Sequence, residues 1–270
     1  MKKIPVLALF SMFAFSATAF SAPLTLNLVA SYFRTSPFGL AFDGTNIWYS
    51  DSGGTVREMT TSGVDTGVVQ NGPCRNITSY GALAWTGTQL AQGCSGVLHL
   101  FDRGTGDNAS TVGGLAPGFP LDGLDYDHGE IWWSPDQAPV FRYDAAGNPI
   151  GTNPVLSQVG GFSGVERVDI GSNAFLLTVN DLFAPRQICQ YAVTGGAAIG
   201  CVTLSNGRYE DLAFDGRYLW AADLTGNKID KIDLLVNGSS IFVPVPEPSS
   251  LLLIGIGLVG IVARRWKGTA

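Results

Sequence analysis

The 270-residue chain carries 35 glycines, 14 prolines and only 14% charged residues, with a formal net charge of −6. With 46% hydrophobic residues it is too apolar for disorder, and with so many turn formers too broken for a helical bundle, so an all-β fold is expected. Five of its 16 bases, Lys2, Lys3, Arg264, Arg265 and Lys267, sit at the two ends, leaving 11 against the 22 acids; this argues against nucleic acid or an anionic membrane surface as partner and is compatible with cations or neutral glycans.

Residues 1–22 place Lys2 and Lys3 before an apolar stretch that ends in small residues, Ala17-Thr18-Ala19 and then Ala22. That order is a secretory signal peptide, and the exported domain is expected to run over residues 23–243. Its first segment, LTLNLVASYF from Leu24 to Phe33, reads as a strand.

From Gly39 onward the sequence repeats. GLAFDGTNIWYSD, ALAWTGTQLAQG, GLDYDHGEIWWSP, RVDIGSNAFLLTV and DLAFDGRYLWAAD align on Leu40, Leu83, Leu124, Val168 and Leu212, spaced by 41 to 44 residues. A period in this range, with several short strands per unit, is the mark of a propeller blade. Each unit reads as strand, tight turn, second strand, loop and third strand. Fourth strands follow in GVVQN, ASTVGG, NPVLS and GCVTLS, but the fifth unit has none. Leu24–Phe33 is the spare strand, and pairing it with the last blade would close the ring and cover both edges. The expected fold is therefore a five-bladed β-propeller closed by its N-terminal strand, with six blades as the alternative. The recurring pairs Phe42 with Trp48, Tyr126 with Trp132 and Phe214 with Trp220 should pack between blades.

Four cysteines in an exported chain imply disulfides. Cys189 and Cys201 flank a Gly195-Gly196 turn at mirror positions of a hairpin, so they should pair, and Cys74 with Cys94 follows by elimination. No CxxC pair is present, so a zinc site is not expected.

Two residues ahead of the repeat positions stand Phe38, Gly81, Asp122, Glu166 and Glu210, with Asp211 beside the last. In a propeller the first strands line the channel, so Asp122, Glu166 and Glu210 are expected to converge at its mouth. Asp51, Asp136, Asp181 and Asp223 follow the second strands on the same face. Clustered oxygen ligands suit a hard cation such as calcium on Asp122, Glu166 and Glu210. Carboxyls held together also raise one another's pKa and divide into acid and base, as glycan cleavage requires. The plain alternative is that these are turn and surface acids. His128 occupies a turn and His99 a strand, and neither faces an evident nucleophile. There is no GxSxG, HExxH or GxxxxGK[ST] motif, and no catalytic residue is assigned.

The chain closes with VPVPEPSSLLLIGIGLVGIVARRWKGTA. The apolar run from Ser250 to Ala263 would span about 21 Å as a helix, short of a hydrocarbon core of about 30 Å. The basic tip after it stays in the cytoplasm, which leaves the bulk of the protein outside. Pro246-Glu247-Pro248, a short apolar helix and the Arg264-Arg265 tip, in that order, resemble the PEP-CTERM sorting signal of Gram-negative bacteria. The resemblance covers residues 244–270 and implies an exosortase-type sorting protease as partner, removal of the helix, and delivery to the periplasm, cell surface or exopolysaccharide matrix. It says nothing of the activity of the domain ahead. Two functions stay open: a non-enzymatic binding or scaffold module for calcium, polysaccharide or a surface protein, which is the preferred one, and a secreted hydrolase or lyase acting on a glycan from an acidic channel mouth.

Overall fold

The computed structural model describes residues 23–75, 81–116, 121–157, 161–181, 185–205 and 207–243. The segments expected to be the signal peptide and the sorting signal lie outside the described residues.

β1 (Leu24–Phe33) opens the chain. The first blade is β2 (Pro37–Phe42), β3 (Asn46–Asp51), β4 (Thr55–Thr60) and β5 (Asp65–Asn71); the second is β6 (Leu83–Trp85), β7 (Leu90–Cys94), β8 (Val97–Phe101) and β9 (Asn108–Val112). The third holds β10 (Leu121–Asp127), β11 (Glu130–Pro135) and β12 (Phe141–Asp144). Its expected fourth strand, NPVLS, is reduced to a single bridge between Val140 and Leu156. The fourth blade is β13 (Val165–Ile170), β14 (Asn173–Asn180), β15 (Gln187–Ala192) and β16 (Gly200–Thr203). The fifth is β17 (Tyr209–Phe214), β18 (Leu219–Asp223) and β19 (Lys228–Val236), with the two-residue β20 (Ser239–Ser240) at its end.

Five blades are present, and β1 closes the ring. It runs antiparallel to β19 from Leu24 opposite Val236 to Phe33 opposite Lys228, with one bulge between Leu28 and Ala30. That pairing supplies the outer strand that the fifth repeat lacks and leaves β19 with no long open edge.

The repeat has a physical cause in its turn. Asp43 Oδ1 accepts the amides of Thr45 (2.9 Å) and Asn46 (2.8 Å), while its Oδ2 accepts the Trp48 indole at 2.9 Å. Asp215 does the same for Arg217, Tyr218 and Trp220. One carboxylate thus builds the tight turn and satisfies the polar edge of a buried tryptophan. In the third blade His128 takes the left-handed conformation at φ 53° ahead of Gly129, so it is a turn residue.

Burial follows the seams. Five separate apolar clusters each join two neighbouring blades, including the seam between the last and the first. The expected aromatic pairs divide between the two faces of their blade: Trp220 packs toward Phe42 of the first blade, and Phe214 toward the fourth. Both expected disulfides form. Cys189 and Cys201 face each other across β15 and β16, and Cys74–Cys94 ties the strand link entering the second blade to the end of β7.

Candidate functional site

The five first strands stand closest to the axis, and alternate amides along each of them point into the channel. The chain fills that channel with carboxylates in three levels.

Asp211 occupies the middle. Its oxygens accept the amides of Leu40 (3.0 Å) and Leu83 (3.3 Å) from the first two blades and of Leu212 (2.9 Å) from its own. Burial pushes its carboxyl up, and the amides, including that of Leu124, oppose the rise. An acceptor shared among the inner edges of several blades works as a hub.

The far level, toward the hairpin turns, holds Asp125 and Glu166. Asp125 Oδ2 accepts the Arg167 amide at 3.0 Å and Glu166 Oε1 the Phe214 amide at 2.8 Å. Burial moves the Asp125 carboxyl to about 7, and burial together with the Asp125 charge lifts Glu166 well above the usual range. They line a cavity of about 360 Å³ whose walls include Phe42, Trp85, Tyr126 and Phe214. At its rim Asp127, His128 and Asp169 stand close enough to share an ion, but Arg167 Nε lies 3.3 Å from Asp127 and 3.4 Å from Asp169, and His128 Nδ1 lies 2.5 Å from Asp127. These rim charges are already paired.

The near level is the channel mouth, where Asp122 from β10, Glu210 from β17, Asp136 after β11 and Asp181 after β14 gather. One carboxylate oxygen from each of Asp122, Asp181 and Glu210 lies within 4.8 Å of the others. The three residues are 1%, 1% and 0% exposed. Asp181 is held by the Ser163 hydroxyl and by Arg208 Nε. Arg208 Nε also lies 3.1 Å from Glu210 Oε1, but its hydrogen is aimed at Asp181, so Glu210 receives an ion pair without a hydrogen bond. No N–H or hydroxyl donor reaches either oxygen of Asp122, either oxygen of Glu210, or Asp136 Oδ1, although a protonated Asp122 carboxyl can donate to the neighbouring Asp136 carboxylate. Burial, then the charges of Glu210 and Asp136, raise Asp122 well above the usual carboxylate range. Burial and the Asp181 charge bring Glu210 to about 8 against the pull of Arg208. Asp136 is raised too, chiefly by burial.

Of the acids singled out in the sequence, Asp122 and Glu210 meet as expected, Asp211 lies one level deeper, and Glu166 lies at the opposite end of the channel. The hairpin of β13 and β14 is two residue pairs longer than those of the first and third blades, so matching its turn points to Arg167, and the neighbouring apolar Val168 then takes the place that belongs to Val165. Ser163 holds the place expected for Glu166. The signal that finds this is glycine at close approach. A Cβ on Gly39 would stand 2.5 Å from the Gly81 carbonyl, one on Gly123 2.4 Å from the Ser163 carbonyl, and one on Gly164 3.0 Å from the Asp211 Cα. Aligning Gly164 with Gly39 and Gly123 restores the register. Asp136 and Asp181 join the mouth, whereas Asp51 and Asp223 cap turns, accepting the amides of Gly53 and Thr55 and of Arg208 and Gly226. His99 is a half-buried residue of β8, its pKa lowered by burial, beside cysteines already committed to the disulfide.

Residues 244–265 match the PEP-CTERM protein-sorting motif. Among solved structures the fold is similar to glutaminyl cyclase of Myxococcus xanthus, with a TM-score of 0.61 and 14% identity over 80% of this chain and 98% of that one. A weaker likeness, to a chain of a mitotic checkpoint complex, has a TM-score of 0.43 and 14% identity over 71% of this chain and 62% of the other. At these identities the first likeness shows the fold alone. No curated protein matches the chain. The protein is an exported β-propeller whose precursor is membrane-anchored and processed by exosortase. No helix among the described residues is long and apolar enough to cross a membrane.

Proposed function

We propose that the protein is a non-enzymatic binding module of the cell surface or exopolysaccharide matrix, and that its channel mouth takes a hard divalent cation, calcium in the first place. The observation that carries this reading is the set of buried, donor-less carboxylate oxygens on Asp122 and Glu210. A buried carboxylate without a hydrogen-bond donor costs several kcal/mol or gives up its charge, a cost that Arg208 offsets only in part at Glu210, and a cation ligated by oxygen removes it. Asp181 completes the ligand set and Asp136 stands beside it. Glu166, at the far level, has no part in it. Arg208 is the resident counter-charge, so an entering cation competes with it for Asp181.

The enzymatic alternative asks these same carboxyls to touch a glycan. With Asp122, Asp181 and Glu210 at 0–1% exposure, a sugar ring cannot touch them, whereas a dehydrated ion needs only the small space that Arg208 yields on leaving Asp181. That favours binding over hydrolysis.

The test is a thermal melt at neutral pH with calcium, then with chelator. Calcium at a hundred times its Kd adds about 2.7 kcal/mol. For a domain of this size that is an upward shift of roughly 5–10 °C. Asp122→Asn should abolish it. A melt indifferent to calcium, or a shift that survives Asp122→Asn, would sink the site.

A further inference from the structure

Cations in this protein are paired almost everywhere. Arg103 meets Asp43 at 2.5 Å, Arg142 meets Glu130 at 2.5 Å, Arg217 meets Asp233 at 3.1 Å and Lys228 meets Asp230 at 2.7 Å. Cations with few carboxylate partners gather in a groove of about 820 Å³ at the seam where β1 hands over to β2, lined by Arg34, Arg57 and Arg75. Among the described residues the nearest carboxylate contact of these three is Arg57 Nε to Asp51 Oδ2, at 3.8 Å. Arg34 spends its hydrogen bonds on the carbonyls of Phe33 and Gly63 and leaves Nε buried without an acceptor; Arg75 reaches only the Asn71 side chain. Three of the eleven bases of an acidic domain are thus gathered in one groove against two acids, Asp51 and Asp65, and neither Arg34 nor Arg75 meets a carboxylate among the described residues.

The rest of the lining narrows what answers it. Phe33, at the rim, is 74% exposed, a flat apolar face of the kind on which a pyranose ring stacks. Asp51 and Asp65 use one oxygen each to cap local turns. The second oxygen of Asp65 is an acceptor for hydroxyl groups, that of Asp51 stands 3.8 Å from Arg57, and both are a source of repulsion toward any chain with a charge at every unit. An occupant that satisfies guanidinium, aromatic and acceptor together has a ring, hydroxyls and one isolated carboxylate. We infer that this groove binds the hexuronate units of an acidic polysaccharide, the carboxylate between Arg57 and Arg75 and the sugar face on Phe33. Guanidinium forks suit a carboxylate by geometry as well as charge. The inference rests on the binding-module reading but not on the cation site, which lies in the channel.

The experiment is calorimetric titration of the protein with a defined oligosaccharide that carries a single hexuronate among neutral hexoses, with chelator present so that calcium cannot bridge. The comparison ligands are the same oligomer with its carboxyl reduced, inorganic sulfate and a single-stranded DNA. Binding should weaken at raised salt. Arg57→Gln and Arg75→Gln, both at solvent-reached positions, should each weaken it about tenfold or more, as loss of a charge-assisted contact does. Phe33→Ala should weaken it several-fold, and the reduced oligomer should not bind. Equal binding of the reduced oligomer, of sulfate or of DNA would overturn the assignment, as would variants that melt normally and bind like the parent. Loss of the calcium shift with uronate binding intact would remove the cation site and leave this groove standing.

Discussion

Glu210→Gln tests the electrostatics of the channel mouth most directly, because the side chain keeps its shape and loses only its charge. A glutamate whose carboxyl rises from 4.5 in the unfolded chain to about 8 in the fold is neutral in the native protein through the intervening range, while the unfolded chain has already ionised. The native state therefore holds the extra proton. Its stabilising share is fully present below pH 4.5 and is lost as pH rises through about 8. The linkage amounts to a loss of roughly 1 kcal/mol at pH 5 and about 4 kcal/mol at pH 8. The amide has no such proton to lose, so relative to the parent the variant should gain about 3 kcal/mol between pH 5 and pH 8. At about 2–4 °C per kcal/mol for a domain of this size, that is a relative gain in Tm of about 6–12 °C. Melts of both proteins by circular dichroism at pH 5, 6.5 and 8, in chelator, read it directly. With calcium the parent should recover at pH 8 and release protons as it binds. A Tm difference between parent and variant that does not change with pH would show that Glu210 is not held neutral by its surroundings, and the reasoning would fail.

Asp211→Asn should cost about 3 kcal/mol in urea denaturation, because the amide places an N–H against the Leu40 and Leu83 donors that the carboxylate accepts. Unchanged stability would mean that the hub is not one. Deleting residues 24–33 should strip β19 of its partner and yield a chain that aggregates or melts at least about 10 °C lower. Adding the Leu24–Phe33 peptide in trans should restore it, and a deletion variant that melts like the parent would refute ring closure by β1.

Much of the ring was legible because its signals are local. Asp43 with Trp48 and Asp215 with Trp220 recur because one carboxylate must serve both turn and indole, so the turn chemistry marks each blade in the sequence. The missing fourth strand of the last unit and the spare strand at Leu24–Phe33 fitted together by count alone. The channel was harder to read, since its register is set by which glycines allow neighbouring inner strands to approach, and that depends on contacts between blades. In the fourth blade the longer hairpin separates the two kinds of signal: the turn and the apolar pattern point to Arg167 and Val168, the close approach of Gly164 to Val165. Asp122 and Glu210 were placed correctly because in their blades turn and channel keep the common spacing. Arg208 was invisible as a partner of the mouth, because nothing in its local sequence distinguishes it from a loop arginine. The groove at the β1 seam was missed for a related reason: Arg34, Arg57 and Arg75 are far apart in sequence and meet only through ring closure.

The carboxylates of the channel are not demanded by the fold, and the ring itself supplies the comparison. Ala41, Ala84, Asp125, Glu166 and Ala213 occupy the same position on the five first strands and line the same cavity, so three blades make the identical backbone with a methyl group where two bury an acid. At the mouth the first two blades carry Phe38 and Gly81 where the third and fifth carry Asp122 and Glu210, and those acids remain without donors. An apolar residue in place of Asp122 or Glu210 would be the more stable choice, whereas Asp125 and Glu166 each accept a backbone amide of the next blade. Asp211 differs, because the amides of several blades bind it and its loss would leave them unanswered. Acids bound by the backbone belong to the architecture, whereas buried acids without donors, at positions that neighbouring blades fill cheaply, are where local consistency has been given up. That contrast separates Asp122 and Glu210 from Asp211, although all three sit within one channel, and it is why the cation is assigned to the mouth.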